Sequence, residues 1–403
     1  MVSGSIGERI AAYRRRRGLS QTTLAGLIGR SESWLSQVER GVRSVDRMSI
    51  LLDMAKVLHV DVESLTGRPW QYAPNGGTTP ADLDEVRRYF ARYDHLLGED
   101  AVPILNSASL RSLAANAHQR YQSAEYDGVV TDLPEILLAA DSLHRVSGTE
   151  DRREMLLSYV STYVVAAKLL TKMGAADLAQ LAADRCANAA LEADSLEAQG
   201  MAAYQVVCAL LRADRPEDAE SLALKMASRL ATQARSDAPS LVSVAGSLWL
   251  ISAVIAGRRT DRVEAYGRLD QAERLAAMLG HDANFAWTAF GPTNVAIHRV
   301  SVAAELGDAR EALEVATAVD PDALPAGLNS RRAQVYLDLA WAQAQRKRDS
   351  EAILHLLEAE RVAPNAIRYN VVVREMVREM LARSKRTKFT ALHNLAVRAG
   401  VLD

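Results

Sequence analysis

Cysteine is almost absent from this chain of 403 residues: Cys186 and Cys208 are the only two, without CxxC spacing or a nearby His pair. Neither a disulfide framework nor a zinc site is therefore expected, and a reducing cytoplasm fits. Aromatics are also scarce, at 5% with four Phe, and no stretch sustains the alternation of a half-buried strand. No apolar run precedes Arg9 and the block Arg14, Arg15, Arg16, Arg17, so no secretory signal is expected at this end. Neither HExxH nor a glycine-rich phosphate loop occurs, the eight His are scattered, and the carboxylates stand where helix-surface i,i+4 pairing accounts for them. No catalytic constellation, cofactor or metal site is therefore expected. One uncharged run, 238–257, is long enough to span a bilayer. It contains Pro239, Ser240, Ser243, Ser247, Ser252 and two glycines and falls in the helical register described below, so it reads as a buried helix and no membrane partner is expected.

What the chain has is length, apolar content and an uneven charge. A 49% hydrophobic sequence of this size is ample for two or more folded domains. The net charge of -2 hides an asymmetry: residues 1–68 carry eleven Lys and Arg against seven acids, or +4, which leaves -6 for the remainder. A basic head on an acidic body is expected when one segment meets phosphates and the other does not.

The head, residues 1–66, reads as five short helices. A first helix runs from Ile6 to Arg17; Ser20 caps a second over Gln21–Ile28, ending at Gly29; Ser31 caps a third over Glu32–Arg40, ending at Gly41. Ile50, Leu51, Met54, Ala55 and Leu58 recur at helical spacing in a fourth, and Asp61–Leu65 forms a last turn. Residues 67–80 hold three prolines and three glycines and read as a linker. From 81 to 403 the chain reads as almost unbroken Ala- and Leu-rich helix. The expected fold is thus all-α, a helix-turn-helix head followed by a helical array.

The array carries an internal repeat. Tyr336–Pro364 matches the tetratricopeptide pattern, with Ala340 and Ala352 at a helix crossing, Leu339 and Leu356 as large core residues, Ala359, and Pro364 closing the unit. Equivalent small residues recur at Ala179, Ala219, Ala265 and Ala312. Their spacing exceeds the roughly 34 residues of a consensus repeat, which predicts tetratricopeptide-like hairpins with lengthened helices, stacked as a solenoid with a concave binding face.

Residues 20–41 fill each structural position of a helix-turn-helix. Ala25 is small at the crossing, Gly29 permits the turn, and Leu24, Ile28, Leu35 and Val38 point inward. Glu32, Ser33, Ser36 and Gln37 then lie on the exposed N-terminal half of the recognition helix, where Gln37 suits adenine, Glu32 cytosine, and Ser33 either. Trp34 has two readings, wedged against sugar-phosphate or packed on the body of the domain. With Leu19-Ser-Gln-Thr-Thr-Leu-Ala25 and Leu35-Ser-Gln-Val-Glu-Arg-Gly41, the head resembles the phage-repressor-like (Xre) family over about residues 6–67. That resemblance implies binding to double-stranded DNA, with Gln21 on a phosphate or base edge and a structural pair between Arg14 and Glu39. Arg40, Arg43, Arg47 and the exposed members of Arg15, Arg16 and Arg17 then hold phosphates.

Head and array in this order resemble the tetratricopeptide-containing peptide-receptor regulators of Gram-positive bacteria, and the Arg/Ala-rich composition looks actinobacterial. The resemblance implies a homodimer on an inverted-repeat operator, with a signalling peptide or small molecule in the concave groove that alters DNA binding. The alternative is a constitutive regulator whose array only dimerises and docks partners. First helices of the hairpins should line the groove. Asn294 and His298 break an apolar pattern there, behind a Gly-Pro expected to bend the helix; Tyr204 and Gln205 flank them on one side, and Arg331, Gln334, Asp338 and Trp341 on the other.

Overall fold

In a computed structural model, residues 5–17, 19–43, 45, 48–58, 60, 65, 81–97, 106–146, 148, 151–383 and 390–402 are described. Contacts divide the chain into two units, Met1–Ala73 and Pro74–Asp403. Every regular element among the described residues is helical.

The first unit contains α1 (Ile6–Arg16), α2 (Gln21–Leu27), α3 (Glu32–Glu39) and α4 (Met48–Leu58). The expected fifth helix and the linker fall outside the described residues, apart from Leu65, which is buried. Serines start the first three helices: Ser5 forms a capping box with Glu8, Ser20 Oγ accepts from Thr23 N at 3.0 Å, and Ser31 Oγ from Trp34 N at 3.2 Å. Helices α2 and α3 end one residue earlier than the sequence spacing suggests, because Ile28 and Arg40 are the caps that lead into left-handed Gly29 (φ 64°) and Gly41 (φ 71°). Ile10, Leu24, Ala25, Leu35, Val38, Met54 and Leu58 close the core. At Gly7 a Cβ would sit 2.1 Å from the Val38 carbonyl oxygen, so α1 crosses the end of α3 at the one residue that allows it.

The second unit opens with α5 (Ala81–Phe90) and continues as helical hairpins: α6–α7 (Ser107–Gln122, Tyr126–Val146), α8–α9 (Arg152–Lys172, Ala176–Glu192), α10–α11 (Leu196–Arg212, Pro216–Ala231), α12–α13 (Pro239–Arg258, Arg262–Leu279), α14–α15 (Pro292–Glu305, Ala309–Ala316) and α16–α17 (Asn329–Gln345, Asp349–Val362). Helices α18 (Pro364–Arg368), α19 (Val371–Arg383) and α20 (Thr390–Arg398) complete it. The alanines that mark the repeat, Ala179, Ala219, Ala265, Ala312 and Ala352, are all fully buried in second helices. Each follows by five residues a backbone position in the left-handed region: Gly174 (φ 80°), Asp214 (57°), Thr260 (59°), Gly307 (77°) and Lys347 (59°). Hairpin α6–α7 repeats the geometry with left-handed Ala124 (φ 65°) and buried Val129, a unit the alanine register alone does not reveal.

Helix α12 is the uncharged run; it is long and apolar enough to cross a membrane, but 78% of its apolar window is buried in the fold. Within it, Gly246 lies under the buried ring of Phe290, where a Cβ would come within 2.0 Å of the ring. The stack also returns on itself. Ser123 Oγ, just past α6, donates to the Gly327 carbonyl at 3.3 Å, the hydroxyl of Tyr369 donates to Asp127, and one hydrophobic core joins Tyr126 and Val130 to Ala333 and Leu337. The first hairpin thereby closes against the sixth, and the first helices surround a central space.

Candidate functional site

In the head, α1 and α3 are joined by a buried, two-pronged ion pair. Arg14 Nε donates to Glu39 Oε1 at 2.6 Å and Nη2 to Oε2 at 2.9 Å, while Nη1 donates to the Leu19 carbonyl at 2.8 Å. Burial raises the Glu39 pKa, but the hydrogen bonds from Arg14 and Gln21 overcome it and hold the carboxyl below the usual range; the bond to Glu39 raises Arg14. Gln21 is drawn into this pair, its Nε2 donating to Glu39 Oε2 at 2.7 Å. The amide nitrogen is thus occupied in the free protein.

Along α3, Glu32 and Ser33 are exposed, Ser36 and Gln37 are half-buried, and Leu35, Val38 and Glu39 are buried. Glu32 accepts from Thr22 Oγ1 at 2.6 Å, which ties it to α2. Trp34 is half-buried against the head's core, with the Arg30 guanidinium 5.7 Å from its ring centroid; of its two readings, packing on the body is the arrangement in the free head. Arg15, Arg17, Arg40 and Arg43 are exposed, and Arg40 Nε donates to the Ser36 carbonyl at 3.2 Å. Arg47 and the side chain of Arg16 lie outside the described residues.

The second unit holds a partly open cavity of about 200 Å³ at the centre of the ring. Its lining comes from first helices α6, α8, α10, α12, α14 and α16, the first residue of α7, and the short segments 286–289 and 328; no second helix from α9 to α17 contributes. Tyr204, Gln205, Asn294, His298, Arg331 and Gln334 all line it. Asp338 and Trp341 do not: the stripe 331, 334, 338, 341 of α16 faces the cavity only over its first part. Asp338, 9% exposed, instead accepts from Gln334 Nε2 at 2.8 Å and from Ser301 Oγ, and burial raises its carboxyl to about 6. Trp341 packs against core residues around α16. The Gly-Pro before Asn294 does not bend a helix but starts one, with Pro292 in the first turn of α14.

His298 Nδ1 pairs with the Asn294 carbonyl at 2.8 Å, and burial beside Arg331 pushes the imidazole down to about 3, so it is neutral. Among the described residues, Asn294 Oδ1, in a residue 1% exposed, and Thr171 Oγ1 have no hydrogen-bond partner. Sequence spacing did not single out Lys168, Lys172, Tyr121, Gln122 and Trp287, which share the cavity. Burial, then the neighbouring Arg331, lowers Lys168 to about 7 and Lys172 to about 8. Lys168 Nζ donates to the Trp287 carbonyl at 2.8 Å, and Trp287 stacks on His118 with centroids 4.8 Å apart. Ala286, Trp287 and Ala289 all have positive φ, and this strained segment is held from across the ring by paired amides of Gln122 and Asn284 at 2.9 Å.

Comparison with known proteins bears on the head. Residues 5–66 match the family model of a helix-turn-helix domain. The head of this chain is a helix-turn-helix domain. No curated protein sequence matches the chain. Among solved structures, PlcR of Bacillus thuringiensis in complex with the peptide PapR7 and DNA aligns over 86% of this chain and 99% of its own, at 12% identity and a TM-score of 0.36. ComR from S. thermophilus, in complex with DNA and its signalling peptide ComS, aligns over 94% and 99%, at 13% identity and a TM-score of 0.28. Likeness that distant has no weight for function. Within the helix-turn-helix domain, the Arg14–Glu39 pair fixes the angle between α1 and α3, which leaves the first turn of α3 projecting with Glu32 and Ser33 outermost.

Proposed function

We propose that this protein is a sequence-specific, DNA-binding transcription regulator whose helical array binds a ligand that alters DNA binding. The observation that carries the reading is a helix-turn-helix domain whose recognition helix offers Glu32, Ser33, Ser36 and Gln37 beside exposed Arg15, Arg17, Arg40 and Arg43. Residues 1–66 would form the DNA-binding domain and 81–403 the sensing and dimerisation domain. One recognition helix of eight residues contacts few base pairs, so a homodimer on an inverted repeat is the arrangement that supplies enough contact for specific binding. The array's part rests on its central cavity, which every hairpin reaches with its first helix.

Selection of duplexes from a random pool by the full-length protein tests the DNA reading. The expected product is an inverted repeat with half-sites about one helical turn apart. Binding should weaken steeply with salt, each phosphate contact adding about 0.9 to the log-log slope. Failure to enrich any sequence overturns it. A selected operator whose affinity no ligand of the array changes would leave a constitutive regulator.

A further inference from the structure

The cavity's charge selects its ligand. Three of its lining residues are cations, Lys168, Lys172 and Arg331, and none is a carboxylate. This stands out in a body whose acids outnumber its bases and whose surface arginines are mostly in ion pairs. Among the described residues the Arg331 guanidinium has neither an ion pair nor a side-chain hydrogen bond. Lys172 has a partner of a different kind, the Tyr126 ring with its centroid 5.8 Å from Nζ. Asp338, two turns along α16 from Arg331, is outside the cavity and already taken by Ser301 and Gln334. Uncompensated like charges lining one concavity disfavour the empty state, and an anion removes that cost.

Size and walls narrow the class. An apolar cavity of about 150 Å³ holds benzene, so one of about 200 Å³ holds a ring or branched chain with a short polar arm. The walls supply both halves: Val164, Val244, Leu250 and Trp287 are apolar, while Asn294 Oδ1 is a buried acceptor without a donor. We infer that the cavity binds the carboxylate of a compact apolar acid, held by Arg331, Lys172 and Lys168, with an N–H of the same ligand donating to Asn294 Oδ1. Such chemistry belongs equally to a free N-acylated amino acid and to the C-terminal residue of a peptide whose preceding residues lie outside the cavity.

Proton linkage gives an independent readout. The lowered lysine values mean that part of the amine population is neutral at pH 7 to 8, and an arriving carboxylate raises those values, so binding takes up protons. Affinity should then fall as pH rises above about 7, by up to about tenfold per pH unit for each lysine involved. The displaced groups in or beside the cavity do not titrate in that window: His298 is neutral above about 3, Cys208 is raised to about 11, Tyr121 to about 12, and Tyr126 and Tyr204 are raised further; the remaining charged neighbours are the guanidiniums of Arg331 and Arg212. Asp338, at about 6, is already ionised there.

The test rests on the sensing role proposed above but separates from it. Full-length protein is titrated calorimetrically at pH 6.5 and 9 with N-acetyl-phenylalanine, with the tetrapeptide Gly-Gly-Leu-Phe, and with the C-terminal amides of both. At least one acid should bind at pH 6.5 with proton uptake, at least about tenfold more tightly than its amide and more weakly at pH 9; which acid does so identifies the source. Arg331→Gln should abolish the preference for acid over amide and, by relieving repulsion, raise the melting temperature of the ligand-free protein. No binding by either acid, equal binding of acids and amides, or a preference that survives Arg331→Gln overturns the inference. Acids that bind as described but leave operator affinity unchanged would uphold the anion site and remove the sensing role; a neutral ligand that controls DNA binding would do the reverse.

Discussion

Replacing Glu39 by Ala strands the guanidinium of Arg14 in a site where both residues are under 10% exposed. Removing one partner of a buried pair costs about 3–5 kcal/mol, against about 0–1 kcal/mol for an exposed pair. The loss here should lie toward the lower end of the buried range, because the Leu19 carbonyl still accepts from Arg14 Nη1. A head of this size has roughly 0.05–0.15 kcal/mol of stability per residue, so Glu39→Ala removes a large part of it. Hydrogen exchange in the full-length protein reads this unit by unit. Amide protection across α1–α3 should drop by roughly a hundredfold, with α8–α17 unchanged. Replacing both partners by Met should recover much of the loss, since no charge is then left buried. A drop below about fivefold for Glu39→Ala, the level of a surface pair, would refute the structural role of the pair. The pH dependence has a definite sign. Because the folded Glu39 carboxyl is held below its unfolded value, the stabilisation is full above the ordinary glutamate range and is lost as pH falls through the lowered folded value.

In the recognition helix, Gln37→Ala should cost about 1–3 kcal/mol on the selected operator and almost nothing on random DNA; equal losses in a filter-binding comparison would remove it as a base reader. A fragment ending near residue 70 should sediment as a monomer and bind the operator weakly, because the dimer contacts are placed in the array; tight binding by that fragment would contradict the placement. Gly246→Ala forces the Phe290 ring from its buried seat, since the new Cβ would lie 2.0 Å from it. Overpacking of this kind costs about 1–3 kcal/mol, and an unchanged melting temperature would show that the Gly246–Phe290 contact does not fix that wall.

The hairpin register was legible because close helix crossings tolerate only small side chains, so Ala179, Ala219, Ala265, Ala312 and Ala352 recur in step. The turns were not: only two of the five left-handed positions are Gly, while Asp214, Thr260 and Lys347 look like ordinary loop residues. For the cavity, following the first helices picked out Tyr204, Gln205, Asn294, His298, Arg331 and Gln334, yet it carried the α16 stripe too far, to Asp338 and Trp341. How far a stripe faces a cavity depends on where the ring closes, and that is set by non-local contacts such as Ser123 with Gly327. Lys168 and Lys172, four apart on α8, look like a solvated face until the closed ring buries them. One signal was available. No acid lies within four residues of either lysine, whereas most helical cations here have a carboxylate a turn away or on the next helix.

A central cavity lined mainly by first helices also fixes how a ligand would act. Hairpins pack on one another along the array, and in a stack of this kind small rotations at each such crossing add. A ligand in the middle touches several crossings at once through α8, α10, α12, α14 and α16, so it can favour one pitch without remodelling any single helix. Tight binding is not enough: the ligand must prefer one pitch, and a preference of about 1–3 kcal/mol suffices for a 5- to 150-fold change in a linked equilibrium. The segment 286–289 is where such a preference can arise, because Lys168 spends its hydrogen bond on the Trp287 carbonyl in the empty cavity. A carboxylate that draws Lys168 away leaves that carbonyl only the longer bond from Gln122 Nε2, at 3.4 Å, and three residues with positive φ then lose part of the restraint that kept them there.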